Sequence, residues 1–160
     1  SLEVAFIATP PNKDKKIQVL ASKFANYGAL KKFYGQIVTV KLDKSNWLLL
    51  EMLRDEDGKG RVIVVDNAQE FFGVVGDKLM AFALKNNWVA IILNGYVRDT
   101  DETKNIAVGL FAIGTCPLRN FDKTDSARDI QLNFEGVNIN TGDYVYADND
   151  GVIFTKTELI

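Results

Sequence analysis

Two polar pairs near the middle of the chain carry the residue types that chemistry needs. The segment GDKLMAFALKNNWVAIILNGYVRD begins at Gly76-Asp77 and ends at Arg98-Asp99, with twenty residues between Asp77 and Arg98. Two carboxylates favour a hard divalent cation, and the planar guanidinium of Arg98 suits a carboxylate or enolate oxygen held by paired hydrogen bonds. If the two pairs meet, they indicate metal-assisted chemistry on a small anionic substrate.

The absence of histidine limits the catalytic mechanisms and metal ligands that are possible. The 160 residues contain no histidine and one cysteine, which excludes Ser-His-Asp and Cys-His catalysis, His-ligated metals, internal disulfides and thiolate metal clusters within them. A metal site must therefore use oxygen ligands, which favours Mg²⁺, Mn²⁺ or Ca²⁺. Because Cys116 has no imidazole to activate it, we interpret it as a small packing residue and not as a nucleophile.

The length of the intervening segment predicts that the two pairs meet. Its apolar pattern indicates a helix from about 77 to 86, which rises roughly 15 Å. VAIIL at 89–93 is typical of a buried strand, and a return strand covers roughly 17–20 Å. The chain would then bring residues 94–99 back to the start of the helix, where free backbone N–H groups attract an anion. Gly73 and Gly76 would let the backbone approach that anion closely.

Simpler interpretations of the polar residues remain open at this point. An aspartate in front of a helix is a common cap, and an Arg-Asp pair after a strand can be a surface ion pair. The acidic segment YADNDG at 146–151 lacks the remaining positions of an EF-hand loop, so we prefer a turn between two strands over a calcium site.

The surrounding pattern predicts a single domain of residues 1–160 with an irregular lead-in at 1–14, where VAFIA (4–8) is at most a short strand. QIVTVKL and RVIVVD indicate strands at 36–42 and 61–66. Between them, Asp43 and Ser45 are candidate caps of a helix that runs through about Arg54 and ends before GKG at 58–60. Beyond residue 106 we predict short strands at 109–114, 129–134, 136–139, 143–147 and 151–155. The expected class is α/β.

The composition of the chain indicates which classes of binding partner to expect. The net charge is −2 and no basic stripe is present, which argues against nucleic acid as the main ligand. No apolar run approaches the roughly 20 residues of a membrane helix, and the first residues do not resemble a secretory signal. We therefore expect a cytoplasmic protein without membrane contact.

The spacing of Asp77, Arg98 and Asp99 resembles the D-x20-R-D signature of the 4-hydroxy-4-methyl-2-oxoglutarate aldolase family. That family also contains the RraA proteins, the regulators of ribonuclease E activity. The resemblance extends over roughly residues 24–155 and includes the blocks YGQIVTVK, GRVIVVD, the segment quoted above and FEGVNINTGDYVYADNDGVI. The loop DNAQEFFG at 66–73 differs, since Asn67, Ala68 and Gln69 stand where many members are glycine-rich.

The resemblance implies a compact domain of the swivelling β/β/α type, with a central β-sheet or barrel-like β core flanked by helices. It implies a homotrimer or a hexamer with sites at subunit interfaces. The expected activity is that of a class II aldolase, dependent on Mg²⁺ or Mn²⁺, that cleaves 4-hydroxy-4-methyl-2-oxoglutarate or 4-carboxy-4-hydroxy-2-oxoadipate to pyruvate and a second 2-oxo acid. Oxaloacetate decarboxylation is the expected side activity.

The resemblance also assigns roles within the segment. The backbone of Gly76, Asp77, Lys78 and Leu79 would bind the substrate carboxylate, and Arg98 would bind and polarise its keto oxygen. Asp99 would be the metal ligand, and Asp77 would hold or activate a water molecule of the metal. The general base is not assigned within this sequence and is expected from a neighbouring subunit.

Two alternatives accompany this hypothesis. Lys78 permits a Schiff-base aldolase that needs no metal. The second alternative is a regulator without catalysis that binds and inhibits a ribonuclease E-type partner. Regulators in the family tend to lose the last aspartate of the signature, so the retained Asp99 favours an enzyme.

Overall fold

The computed structural model describes residues 3–7 and 16–159. The helices there are α1 (Val4–Ile7), α2 (Trp47–Asp55), α3 (Asp77–Lys85) and α4 (Thr100–Thr103). The strands are β1 (Gln18–Val19), β2 (Ala25–Asn26), β3 (Phe33–Lys41), β4 (Arg61–Asp66), β5 (Gly73–Val75), β6 (Ala90–Asn94), β7 (Tyr96–Val97), β8 (Gly109–Ala112), β9 (Gly114–Thr115), β10 (Ala127–Arg128), β11 (Leu132–Phe134), β12 (Val137–Ile139), β13 (Tyr144–Asp148) and β14 (Gly151–Thr155). No helix in these ranges is long and apolar enough to cross a membrane.

The largest sheet curls into half a barrel and has the order β1-β14-β13-β3-β4-β6-β8-β2, with β10 added beside β3. Its central strands β3, β4, β6 and β8 are parallel neighbours, while the strands on either side pair antiparallel. Helix α2 connects β3 to β4, and helix α3 lies between β4 and β6 in the chain. The fold is therefore α/β, as the sequence pattern predicts.

Side chains of the central strands alternate between two buried layers. Ile63 and Val65 of β4 belong to the layer that includes Leu49 and Met80 of the two longer helices. Val62 and Val64 belong to the opposite layer, together with residues of the C-terminal hairpins. A strand covered on both faces is uniformly apolar. This explains why the RVIVVD pattern predicts a strand at 61–66, the bounds that β4 has.

Two further sheets complete the fold. Strands β11 and β12 form an antiparallel hairpin whose turn is Glu135-Gly136, both at positive φ. Strands β5, β7 and β9 form a small parallel sheet in the order β5-β7-β9. Because parallel neighbours end at the same edge of a sheet, the segments that follow these three strands lie side by side.

Some predicted elements differ from the observed ones. Asp43 and Ser45 do not cap α2, because the N-cap is Asn46 and no side chain caps the helix. The Ser45 hydroxyl instead bonds the Thr124 hydroxyl at 2.8 Å, and Asn46 Nδ2 donates to the Val74 carbonyl at 2.6 Å. These side chains therefore stabilise tertiary contacts of the segment that precedes the helix.

The lead-in and the 109–114 strand also require correction. Residues 4–7 of the expected irregular segment form helix α1, whose Val4 is buried against Tyr146 and Ile153. Residues 1–2 and 8–14 of that segment lie outside the described residues. The 109–114 strand is divided into β8 and β9, since the chain leaves the large sheet after Ala112 and joins the small one at Gly114.

Candidate functional site

The ends of the three strands in the small parallel sheet build the candidate site. Gly76-Asp77 follows β5, Arg98-Asp99 follows β7, and the segment from Cys116 follows β9. The Arg98 N–H donates to the Val75 carbonyl at 2.9 Å, and the Cys116 N–H donates to the Val97 carbonyl at 2.9 Å. These bonds fix the three chain segments next to one another at the carboxyl edge of the sheet.

The two polar pairs meet, as their spacing predicts. The backbone N–H of Asp77, in the first turn of α3, donates to Asp99 Oδ2 at 3.2 Å. Gly76 makes this approach feasible because a Cβ at that position would collide with Asp99 Oδ2 and would lie 3.2 Å from Arg98 Cγ. The Asp99 carboxylate thus lies at the N-terminus of helix α3, where free N–H groups stabilise negative charge.

Asp99 has an unusual backbone that frees its side chain. It is in the left-handed region (φ 58°, ψ 38°) and is the N-cap of helix α4, yet its carboxylate makes no capping bond. Its carbonyl accepts the N–H groups of Glu102 and Thr103, each at 2.9 Å. Aspartate is among the non-glycine residues that adopt left-handed backbone most readily, so the position is compatible with its side chain.

Arg98 and Asp99 are both accessible to a ligand. Their side chains are 26% and 32% exposed, and Arg98 Nε lies 3.9 Å from Asp99 Oδ2. That separation is a loose ion pair and not a close hydrogen bond. The Arg98 guanidinium therefore keeps donors available for another oxygen-containing group.

A cavity of about 280 Å³ joins these residues. Its lining contains every predicted site residue, namely Gly76, Asp77, Lys78, Leu79, Arg98 and Asp99. Asn46, Leu50, Val74 and Arg119 line it as well. Sequence reasoning missed Arg119, which lies in the irregular segment after strand β9.

The oxygen donors fit a hard divalent cation. Asp99 Oδ2 is engaged by the Asp77 N–H, whereas no described residue hydrogen-bonds to Oδ1 of Asp99. The described ranges contain no cluster of three or more Asp, Glu, His or Cys side chains that would enclose a metal. A site with one or two carboxylates suits Mg²⁺, which keeps several water ligands and binds substrate oxygens directly.

Cys116 and Lys78 differ in their surroundings. Cys116 is 1% exposed, and its thiol donates to the Phe71 carbonyl at 3.5 Å, in agreement with the predicted packing role. Lys78 is exposed at the cavity wall and has no carboxylate partner among the described residues.

The variant loop at 66–73 lies beside the site and not in its wall. Asn67, Ala68 and Gln69 do not line the cavity of Asp77 and Asp99. Ala68 and Gln69 have φ values of 52° and 57°, a conformation for which glycine is the usual residue. Gln69 donates to Glu135 at 2.6 Å. The bond from Lys23, followed by the one from Gln69, holds the pKa of the Glu135 carboxyl below its usual value.

Comparison with known proteins places the chain in a family. A family model described as "RraA-like: Aldolase/RraA" matches residues 12–154. The chain belongs to the RraA-like family. Two RraA-like relatives carry the name "Putative 4-hydroxy-4-methyl-2-oxoglutarate aldolase": one from Bacillus cereus is 40% identical over 91% of this chain and 92% of its own length, and one from Dechloromonas aromatica is 37% identical over 91% and 89%.

Two solved structures share the fold. One from Geobacillus kaustophilus, described as S-adenosylmethionine:2-dimethylmenaquinone methyltransferase, has a TM-score of 0.92 and 33% identity over 99% of this chain and 97% of its own. The RNA-processing inhibitor RraA from Thermus thermophilus has a TM-score of 0.92 and 24% identity over 100% and 96%. The predicted RraA-like fold is therefore confirmed.

Proposed function

We propose that this RraA-like protein is a divalent-metal-dependent pyruvate aldolase. Its substrates would be 4-hydroxy-4-methyl-2-oxoglutarate or 4-carboxy-4-hydroxy-2-oxoadipate, with oxaloacetate decarboxylation as a side activity. The observation that carries the proposal is the Asp99 carboxylate against the Asp77 N–H with Arg98 beside it. The names of its relatives support an aldolase in general terms.

The proposed cleavage breaks the bond between C3 and C4 of the substrate. The C4 hydroxyl proton leaves to a base, C4 becomes a carbonyl carbon, and the electron pair of the broken bond remains on the pyruvate half as an enolate. Proton addition at C3 then gives pyruvate. Since oxaloacetate decarboxylation leaves the same enolate, one site accommodates both reactions.

Residues of this chain have separate tasks in that scheme. The first-turn N–H groups from Gly76 to Leu79 bind the substrate's C1 carboxylate. Arg98 binds the keto oxygen and stabilises it more strongly as negative charge develops, which lowers the activation barrier. Asp99 would hold the divalent cation, and Asp77 would orient a water molecule beside it. When bound, the cation would act as a Lewis acid toward the developing oxyanion.

The source of the general base and the oligomeric assembly of the protein are part of the same proposal. We propose a homotrimer, or a hexamer of two trimers, in which a neighbouring subunit supplies the base to each site. Phe71 and Leu118 are each 54% exposed, which supports a subunit contact at these side chains. Both residues lie near Gly73, since the Leu118 carbonyl accepts the Gly73 N–H at 2.7 Å and Phe71 is in the loop before Gly73. Burial of these two exposed apolar side chains in a subunit contact would be favourable.

Pyruvate release from purified protein tests the activity. Wild-type protein is assayed with 4-hydroxy-4-methyl-2-oxoglutarate and with oxaloacetate, first with Mg²⁺ or Mn²⁺ and then with EDTA. Release that stops with EDTA and returns with the metal is the expected result. Activity that survives EDTA, with borohydride trapping of pyruvate on Lys78, would replace this mechanism with a Schiff base. No release from either substrate would favour the regulator that binds a ribonuclease.

Two substitutions test the assigned residues. Asp99→Asn and Arg98→Gln each remove one electrostatic contact, worth about 2.7–4 kcal/mol in comparable sites, and we expect turnover to fall about a hundredfold or more. Asp101→Asn is the matched control, since Asp101 is 94% exposed in the same short helix α4. Normal turnover in either site variant would refute its assigned role.

A further inference from the structure

The cavity described above, here called the first chamber, lies beside a second chamber of about 150 Å³. Five residues line both: Asn46, Leu50, Val74, Lys78 and Arg119. The two chambers therefore adjoin each other along these five residues. A ligand longer than pyruvate would reach from the N-terminus of α3 into the second chamber.

The two chambers differ in charge. Asp77 and Asp99 line the first chamber together with the cations Lys78, Arg98 and Arg119, so its charges partly cancel. The second chamber has no acidic residue in its described lining, but Lys44, Lys78 and Arg119 contribute three cationic side chains. Because opposite charge in a cleft attracts and retains an anion, the second chamber suits a negatively charged group.

Arg119 is distinctive among the arginines of the chain. Arg54, Arg61, Arg98 and Arg128 each form an ion pair with a carboxylate. Arg119 has no such pair with any described residue, and its guanidinium carbon lies 4.1 Å from the centre of the Phe121 ring. A guanidinium that rests on an aromatic face is oriented while its N–H donors remain available to a carboxylate.

The loop that carries Arg119 is fixed to the start of α2. The indole N–H of Trp47 donates to the Phe121 carbonyl at 3.2 Å, and Lys123 Nζ lies 4.9 Å from the centre of the Trp47 ring. The Thr124 hydroxyl bonds that of Ser45, which is 3% exposed. Both Trp47 and Phe121 line the second chamber, so its walls are connected by these contacts.

We propose that the second chamber is the subsite for the substrate's second carboxylate, carried on C4, and that Arg119 is the residue that binds it. This inference rests on the proposed function, because it names the part of the substrate that leaves as the second 2-oxo acid. Arg98 and the N-terminus of α3 hold the pyruvate half, and Arg119 holds the other half. Arg119 thereby selects dicarboxylate substrates over monocarboxylates.

Equilibrium binding tests the subsite without requiring turnover. Pyruvate fills the first chamber alone, whereas 2-oxoglutarate has the same 2-oxo acid end and a distal carboxylate. Both are titrated calorimetrically into the full chain with Mg²⁺ present, using wild type, Arg119→Gln and Lys85→Gln. Lys85, exposed at the far end of α3, is the control for loss of one positive charge.

We expect Arg119→Gln to weaken 2-oxoglutarate about tenfold, the size of one partly solvated charged hydrogen bond, and to leave pyruvate within about twofold. Lys85→Gln should change neither. Three results would overturn the inference: equal weakening of both probes, no weakening of either, or wild-type protein that binds 2-oxoglutarate no better than pyruvate. Arg119 is exposed, so the variant should retain the wild-type circular dichroism spectrum and melting temperature.

Turnover provides a second, separable test. In wild type and Arg119→Gln, pyruvate release is compared for 4-hydroxy-4-methyl-2-oxoglutarate and 4-hydroxy-2-oxopentanoate, which lacks the C4 carboxylate. The variant should raise KM for the first substrate about tenfold with little change in kcat, and should not alter kcat/KM for the second. If wild type releases pyruvate from neither, the proposed function fails, and the binding experiment still decides the subsite.

Discussion

At the scale of single residues, Gly76 controls the contact on which the site depends. The backbone at the start of α3 passes so close to the Asp99 carboxylate that a methyl group at residue 76 would overlap Oδ2. Gly76 is at φ −134° and ψ −161°, which is extended backbone open to any residue. The need for glycine is therefore steric and comes from Asp99.

We expect Gly76→Ala to reduce pyruvate release at least tenfold, because Asp99 and Arg98 must move away from the new methyl group, while the fold is retained. A misplaced catalytic group commonly costs this much or more. Gly95→Ala is the matched control, since its Cβ would meet only side-chain carbons of Leu93 and Asn67 at 3.3–3.4 Å. Full activity in Gly76→Ala would show that the Asp99 position is not critical.

The residues of the site differ in how far sequence could predict them. Asp77, Arg98 and Asp99 could be placed together because one helix and one strand of similar length separate them. Arg119 could not, because Cys116 to Phe121 has no periodic pattern and its position depends on tertiary contacts such as the indole bond from Trp47 to the Phe121 carbonyl. The left-handed backbone of Asp99 could not be predicted either, because Asp is common in many turns and caps.

At the scale of secondary structure, an ion pair links the end of helix α2 to strand β10. Arg128 Nη1 donates to Glu56 Oε2 at 2.6 Å and Nη2 donates to Oε1 at 3.2 Å, so both carboxylate oxygens are engaged. The bonds from Arg128 lower the pKa of the Glu56 carboxyl. Glu56 in turn raises the pKa of Arg128, which remains charged throughout the accessible pH range.

The lowered pKa of Glu56 predicts how stability changes with pH. The folded carboxyl has a lower pKa than the unfolded one, so the pair stabilises the protein above the unfolded pKa, about 4.3. This contribution disappears as the pH falls through the folded pKa. Arg128→Gln should therefore lower the free energy of unfolding by about 1 kcal/mol near neutral pH and by progressively less below about pH 4.

Urea denaturation from pH 7 down to pH 3 measures that difference, with Lys85→Gln as the control for charge loss. The expected result is convergence of wild type and Arg128→Gln at acid pH. A difference that is constant across the whole range would mean that Arg128 acts through packing and not through its bond to Glu56.

Helices and strands with strong apolar patterns could be predicted from the sequence. Short strands that form only by hydrogen bonding to neighbouring strands could not. The strand RVIVVD and the two longer helices contain enough core residues for local sequence to predict them. Strands β7 and β9 have two residues each and form only because their neighbours in the small sheet supply hydrogen-bond partners. Since local sequence contains little information about such pairing, the sheet that builds the site was the part of the fold missed.

At the scale of the whole molecule, the proposed assembly predicts that association and activity decline together. We expect Phe71→Ser to shift the protein toward monomers and to reduce pyruvate release, because Phe71 is 54% exposed and packs edge-on against Tyr96 with ring centres 5.0 Å apart. Light scattering at matched concentrations measures the assembly. Leu84→Ser is the control, since Leu84 is a similarly exposed apolar residue (49%) on helix α3.

An oligomer in wild type that persists unchanged in Phe71→Ser would place the subunit contact elsewhere. A monomeric variant with full turnover would remove the reason for a base from a neighbouring subunit. In that case the base would have to be sought within a single chain.

The small parallel sheet also sets the time at which a newly made chain acquires its candidate site. Its strands enter in chain order, so Gly76, Arg98 and Arg119 become available one after another during synthesis. Helix α3 can pack against helix α2 while the ribosome is still producing the later walls of the cleft. Until Thr115 has paired beside Val97, the cleft has no third side, and an unfinished chain would lack the proposed activity toward 2-oxo acids.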